Sequence, residues 1–211
     1  MYVLYFSPGA ASLCVHLALL EIGAPHELRK LDLDAGEQRS PAYLKLNPNG
    51  LVPTLLIQNR PFFEAAACLM TLAERHAAAG LAPPAESLER AAWNQWLLHL
   101  ANTLQPAFRL WFYPSDLSAD EALQAAIKDG ARARIETTWQ RIDAHLAAHG
   151  PYLLGAHVSA PDLMLIMLMR WSRNMPRPAT DWPALADFAR RMKARASWQA
   201  LYAAEGLTEW A

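Results

Sequence analysis

The sequence is short of cysteine, of excess charge and of long apolar runs, and each shortage removes a class of function. Lys and Arg number 19 against 20 Asp and Glu, a formal net charge of -1 over 211 residues. Binding a phosphate backbone takes a clustered excess of basic side chains, and the lack of one argues against a nucleic-acid surface. The longest wholly apolar run, Leu163 to Met169, falls far short of the ~20 residues that a membrane-spanning helix needs. No basic stretch precedes an apolar segment at the start, so no secretory signal is expected. Two cysteines, Cys14 and Cys68, are too few to staple a secreted fold, and both fall in apolar helical patterns. A reducing cytoplasm is the expected location. Disorder is disfavoured, because 53% hydrophobic residues can fill the core of one large or two small domains.

What is present begins as alternating strands and helices. Val3 to Phe6 reads as a buried strand, and Leu13, Leu17 and Leu20 recur at helical spacing until Gly23. Leu31 and Leu33 alternate with Lys30 and Asp32 as a second strand would. Thr54 to Gln58, an Asn59-Arg60 turn and Phe62-Phe63 make a hairpin, followed by a helix over Ala65 to His76. Gly80-Leu81-Ala82-Pro83-Pro84 cannot continue a helix and marks a linker at residues 79–87. No convincing strand follows. Ser118-Ala119-Asp120-Glu121 reads as a capping box opening a long helix that His149-Gly150 closes with a left-handed stop. Ser159-Ala160-Pro161-Asp162 opens a second helix, apolar on all sides and therefore central.

The most informative segment is Asn47-Pro48-Asn49-Gly50-Leu51-Val52-Pro53-Thr54. Asn-Pro and Asn-Gly are turn dipeptides, so the chain reverses here before entering a strand. A proline at a strand's mouth cannot donate to the ladder, and a cis Val52-Pro53 bond would turn the Val52 backbone groups outward, where an extended peptide-like ligand could pair with them.

Four pieces occur in order along nearly the whole chain: Leu4-Tyr5-Phe6-Ser7-Pro8-Gly9-Ala10-Ala11-Ser12-Leu13, the Asn47 to Thr54 turn, Glu64 after the hairpin, and Gly155-Ala156-His157-Val158-Ser159-Ala160-Pro161-Asp162. In them the sequence resembles the cytosolic glutathione transferases, and among these the bacterial beta-like group. The resemblance implies an α/β N-terminal thioredoxin-like domain over residues 1–78 and an all-α C-terminal domain over residues 88–211. It also implies a cytoplasmic homodimer acting in detoxification, with glutathione as substrate and no metal. The expected reaction is attack of the glutathione thiolate on a small apolar electrophile. Peroxide reduction with glutathione, and a non-catalytic ligand-binding or docking module, are the alternatives.

The likeness also assigns candidate residues. Where beta-like enzymes carry a cysteine this chain has Ala11, where serine-type relatives carry a hydroxyl it has Ala10, and the beta-pattern histidine is matched by Gln105. Ser12 and Tyr5 remain as candidate catalytic hydroxyls, against the plainer readings of a helix cap for Ser12 and a core aromatic for Tyr5. The start of the first helix offers N-H groups and a positive dipole end to the sulfur. Glutathione contacts are expected from Gln38, Leu51, Val52, Pro53, Glu64 and Ala65, although Gln38 would serve equally as a solvated loop residue. Ala10, Phe108, Trp111, Phe112 and Tyr113 are candidates for lining the electrophile pocket, the aromatic four also being readable as core. His145 and His149 have metal-ligand spacing but no third ligand, and a solvated face is expected.

Overall fold

In the computed structural model, which describes residues 1–210, the chain forms two compact units. The first is Met1–Pro83 together with residues 192–210, and the second is Pro84–Arg191. The break falls between the prolines of the expected linker. Residues 192–210, which the sequence reading assigned to the helical domain, pack instead with the first unit.

The first unit is built on a four-stranded mixed sheet of order β2-β1-β3-β4. Strand β1 (Tyr2–Phe6) runs parallel to β2 (His26–Lys30) through helix α1 (Leu13–Glu21), and antiparallel to β3 (Thr54–Ile57). Strand β4 (Arg60–Phe63) closes the hairpin. Burial explains why these segments become strands: Leu4 and Leu55 are fully buried partners at the sheet's centre. The second strand lies earlier than the Leu31/Leu33 alternation suggests. Asp32 Oδ1 accepts from the Asp34 and Ala35 N-H groups at 3.0 Å each, and so bends that stretch into a turn. The hairpin turn is Gln58-Asn59 rather than Asn59-Arg60, with φ of 52° and 64°. Two positive φ angles are what a two-residue turn matched to the strand twist requires. Helix α2 (Pro41–Leu44) lies between β2 and β3, and α3 (Ala65–Arg75) follows β4.

Helix α9 (Ala196–Glu205) packs on α1 within this unit. At one end of that packing Arg195 grips Glu21 through Nε at 2.6 Å and Nη2 at 2.7 Å, and Ser197 Oγ donates to the same carboxylate. Burial alone would raise the Glu21 pKa, but these hydrogen bonds outweigh it and hold the group below its usual range. At the other end Glu205, 6% exposed, accepts from Gly9 N-H at 2.9 Å and from His16 Nδ1-H at 2.8 Å.

The second unit is helical: α4 (Leu88–His99), a π-helical turn Leu100–Leu104, α5 (Gln105–Phe112), α6 (Glu121–His149), α7 (Ala160–Trp171) and the larger part of α8 (Pro183–Lys193). Pro106 supplies no N-H and crowds the preceding turn, so the widened π turn just ahead of it carries the chain from α4 into α5. Helix α6 starts one residue after Asp120, whose side chain accepts from Leu123 N-H at 2.9 Å, while the Ser118 hydroxyl accepts from Asp120 N-H. The Ser118 capping box is thus replaced by an Asp120 cap. Gly150 ends α6 at φ -57°, so the stop is not left-handed. Its glycine is required for space, because a Cβ there would stand 2.4 Å from Leu146 O.

The second expected capping box is present. Asp162 is fully buried and accepts from Ser159 N-H and Oγ, both at 2.8 Å, and from Leu153 N-H at 2.9 Å. Helix α7 behind it is buried from Ala160 to Arg170, the central position its apolar sequence predicts.

Candidate functional site

Strand polarity gathers the candidate ligand groups of the first unit. The Ser7–Ser12 loop leaves β1 just after Phe6, and Pro53 immediately precedes β3. Tyr5 pairs with Thr54 and Thr54 with Phe63. The end of β1, the entry to β3 and the exit of β4 therefore share one end of the sheet. Glu64 follows Phe63 directly, across from Pro53.

The loop into α1 is tightly turned, with Gly9 at φ 70° and bonds from Ala10 N-H to Ser7 O (3.1 Å) and from Leu13 N-H to Ala10 O (3.0 Å). Ala10 and Ala11 are half-buried and bring only methyl groups and backbone. The N-H groups of Ala11 and Ser12 meet no backbone carbonyl among the described residues, as expected for donors ahead of a helix's first turn. Ser12 is fully buried. Its Oγ donates to Ser7 O at 3.2 Å and accepts from Ser7 N-H at 3.3 Å, so the hydroxyl ties the loop together and does not cap α1. Tyr5 is half-buried against the Tyr43 ring, centroids 5.5 Å apart. Its hydroxyl accepts from Arg29 Nη1 at 2.9 Å on β2, the edge strand.

Thiol chemistry by the protein's own cysteines is disfavoured. Burial pushes the Cys14 thiol far up and Cys68 up to about 12, and neither sits beside a cation that would favour its thiolate.

The Val52-Pro53 bond is cis, as expected. Leu51 is half exposed at 50% and Val52 half-buried. Gly50 has φ 61°, and a Cβ there would stand 3.0 Å from Gln38 O. The loop carrying Gln38 therefore rests against the turn that leads into Leu51. Gln38 Nε2 donates to Leu33 O at 3.1 Å, while its Oε1 is buried with no partner among the described residues. Glu64 precedes α3 with φ 71°, a sparsely populated conformation for a residue with a Cβ. Its carboxylate is exposed and makes no capping bond. Strain of this kind, with the carboxylate left to solvent, is characteristic of ligand sites. Ala65 is 5% exposed and can offer only backbone to a ligand.

Of the four aromatic candidates of the second unit, Phe108, Phe112 and Tyr113 touch in sequence, with ring centroids 6.0 Å and 6.3 Å apart. Phe108 is fully buried, packed on Trp139 (6.1 Å) and Trp171 (5.8 Å). Phe112 and Tyr113 are exposed at 46% and 51%, and Trp111 is covered by Lys128 Nζ at 4.5 Å from its ring centroid. Gln105 begins α5, half-buried. The histidine pair also departs from a solvated face, since His145 is half-buried against Trp96 at 4.6 Å and hydrogen-bonded to Leu153 O at 2.9 Å. His149 is exposed, and no metal-holding cluster of three occurs among the described residues.

The sequence reading passed over Glu205 and His16, which are brought together only by the fold. It also passed over Tyr43 and named Thr54 only as the end of the turn; their hydroxyls bond Asn47 and Leu51 behind it. Asn47 was visible as a turn former, but its side chain's partners were not.

Comparison with known proteins bears on the whole chain. Residues 10–75 match the family described as glutathione S-transferase, N-terminal domain, and residues 120–191 match the glutathione S-transferase C-terminal domain. The glutathione S-transferase GST-4.5 of Xanthomonas campestris pv. campestris is 33% identical over 204 residues, covering 97% of this chain and 98% of that protein. A solved glutathione S-transferase from Xylella fastidiosa superposes with a TM-score of 0.90 at 32% identity, over 99% of this chain and 100% of that one. A glutathione transferase homolog from Sulfitobacter, solved with bound glutathione, gives 0.90 at 27% identity over 99% of each chain. A shared fold alone would leave function open. Identity at this level along nearly the full length of both proteins goes further, and this chain belongs to the glutathione S-transferase family.

Proposed function

We propose that the protein is a glutathione transferase in which the start of α1, rather than a side-chain hydroxyl, stabilises the thiolate of glutathione. The observation that carries this reading is the convergence, at one end of the sheet, of three features suited to a γ-glutamyl tripeptide. They are the N-H groups at Ala11 and Ser12, the Leu51-Val52-Pro53 edge, and the exposed Glu64 carboxylate at the head of α3. The bound glutathione of the Sulfitobacter homolog supports it. Glu64 would meet the ligand's amine, while the Ala65 N-H at the helix start would meet the adjacent carboxylate. Gln38 lies beside the same edge and is suited to the glycyl end.

The chemistry then follows. The thiol releases its proton to water, the thiolate forms a bond to the electrophilic carbon, and the leaving group departs with its electron pair. Ser12 spends its hydroxyl hydrogen on Ser7 O, and the Tyr5 oxygen is engaged by Arg29 on the edge strand, so we assign the stabilising to backbone donors and the helix dipole. The electrophiles we propose are small and apolar, and the role is their detoxification in the cytoplasm. Exposed Leu51, Phe62 and Phe63 on the first unit favour pairing with a second copy. The lack of a side-chain donor at Ala10 and Ala11 favours, as the second reading, a protein that binds glutathione without turnover.

Glutathione is expected to raise the melting temperature in a concentration-dependent way, by about 2.7 kcal/mol of added stability at a hundredfold excess over Kd. Glu64→Gln should fold normally and weaken binding by roughly 1.5–3 kcal/mol. A melting curve that does not move at about 10 mM glutathione, far above a working affinity, would remove the proposal.

A further inference from the structure

Behind the Leu51-Val52 edge lies a closed ring of hydrogen bonds. Tyr43 (3% exposed), Asn47 (1%) and Thr54 (fully buried) converge on the carbonyl of Leu51. Tyr43 Oη donates to Leu51 O at 2.6 Å, and Asn47 Nδ2 donates to the same oxygen at 2.8 Å and to Thr54 Oγ1 at 3.2 Å. Tyr43 Oη and Thr54 Oγ1 are 2.7 Å apart. The proton count fixes the remaining bond. Tyr43 has spent its one hydrogen on Leu51, so Thr54 must donate to Tyr43. All four side-chain hydrogens of the ring then have an acceptor. Asn47 Oδ1, the remaining acceptor, takes Asn49 N-H at 3.1 Å.

This ring has a consequence for the neighbouring donor. The Leu51-Val52 peptide is trans, since the cis bonds are at Pro53 and Pro151. A trans peptide is planar, with its N-H antiparallel to its C=O. Turning Leu51 O inward onto Tyr43 and Asn47 therefore turns Val52 N-H outward, and that N-H meets no acceptor among the described residues. We propose that Tyr43, Asn47 and Thr54 are positioning residues that aim the Val52 N-H at a carbonyl of the bound peptide-like ligand. The inference rests on the glutathione reading above. It assigns function to three buried side chains that touch no ligand themselves. Tyr43 also links the ring to the Gln38 loop, because its own N-H donates to Ser40 Oγ at 3.3 Å.

The test compares wild type, Tyr43→Phe, Thr54→Val and Thr54→Ser by glutathione titration and steady-state kinetics. Tyr43→Phe and Thr54→Val should raise Kd and KM for glutathione about three- to tenfold, the scale of one hydrogen bond, with kcat kept within about twofold. Thr54→Ser keeps the hydroxyl and should restore wild-type KM. Melting temperatures identify any variant that has lost its fold, and the inference is judged on whichever of Tyr43→Phe and Thr54→Val stays folded, with Thr54→Ser as its control. Unchanged KM in Tyr43→Phe and Thr54→Val overturns the inference while leaving the glutathione reading intact. Wild-type protein that binds no glutathione overturns both. A loss of kcat without a change in KM also contradicts a positioning role for this donor.

Discussion

Glu205→Ala is expected to lower stability by about 3 kcal/mol or more, a large share of a domain's total. The carboxylate lies on α9 but serves the start of the chain. One oxygen holds Gly9 N-H and the other His16 Nδ1-H, all of them inside the first unit. A carboxylate oxygen accepts, so His16 donates from Nδ1, while its buried Nε2 has no partner among the described residues. Alanine would strand two donors that water cannot reach, and each stranded donor costs the desolvation it can no longer offset. Because Gly9 belongs to the loop that presents Ala11 and Ser12, glutathione affinity should fall along with stability. Glu205→Gln keeps one good acceptor and should fall between wild type and alanine. Urea unfolding measures the effect, and a change within about 0.5 kcal/mol, as for an ordinary surface site, would contradict it.

Asp162→Ala should be of similar size, roughly 2–4 kcal/mol, because the Leu153 and Ser159 N-H groups lose their acceptor at the head of a fully buried helix. This residue also makes stability depend on pH in an uncommon direction. Burial outweighs the three hydrogen bonds and raises its pKa to about 6. The native state thus holds a proton that the unfolded chain has already released. The stability Asp162 lends is complete below the ordinary carboxylate range and is lost as pH rises through about 6. Asp162→Asn removes the titration. The stability difference between wild type and Asp162→Asn should therefore shift against wild type across this interval. Denaturation midpoints at several pH values show it, and a pH-independent difference would mean that Asp162 titrates alike in the native and unfolded chains, which would contradict a raised pKa.

The two capping carboxylates illustrate what local sequence can carry. Asp162 was legible because its box spans four residues, and neighbouring amides satisfy it almost unaided. At Ser118 the same kind of pattern misled by two residues, because Asp120 offered a shorter route to the Leu123 N-H. Strand β2 was misplaced for a related reason. The Leu31/Leu33 alternation has strand periodicity, but Asp32 bonds its own following amides and the ladder with β1 settles on His26–Lys30. Gln38, the Leu51 to Pro53 edge, Glu64 and Ala65 are candidates through the family resemblance, whose motifs fall at or beside turns and a helix start. Glu205 could not. Its partner Gly9 is 196 residues away, and nothing near Glu205 in the sequence distinguishes it from a solvated carboxylate at the end of a helix. Ser12 shows the opposite limit: the resemblance makes it a candidate donor to sulfur, and nothing in the neighbouring sequence announces that its hydroxyl bonds Ser7.

The most direct test of the account is an ultraviolet titration of the glutathione thiolate bound to wild-type protein, to Ser12→Ala and to Tyr5→Phe. Thiolate absorbance in wild type should appear at a lower pH than for free glutathione, and both variants should follow the wild-type curve, because N-H groups and the dipole at the start of α1 hold the charge. A wild-type curve that coincides with free glutathione, or one that returns toward it in Ser12→Ala or Tyr5→Phe, would contradict the account.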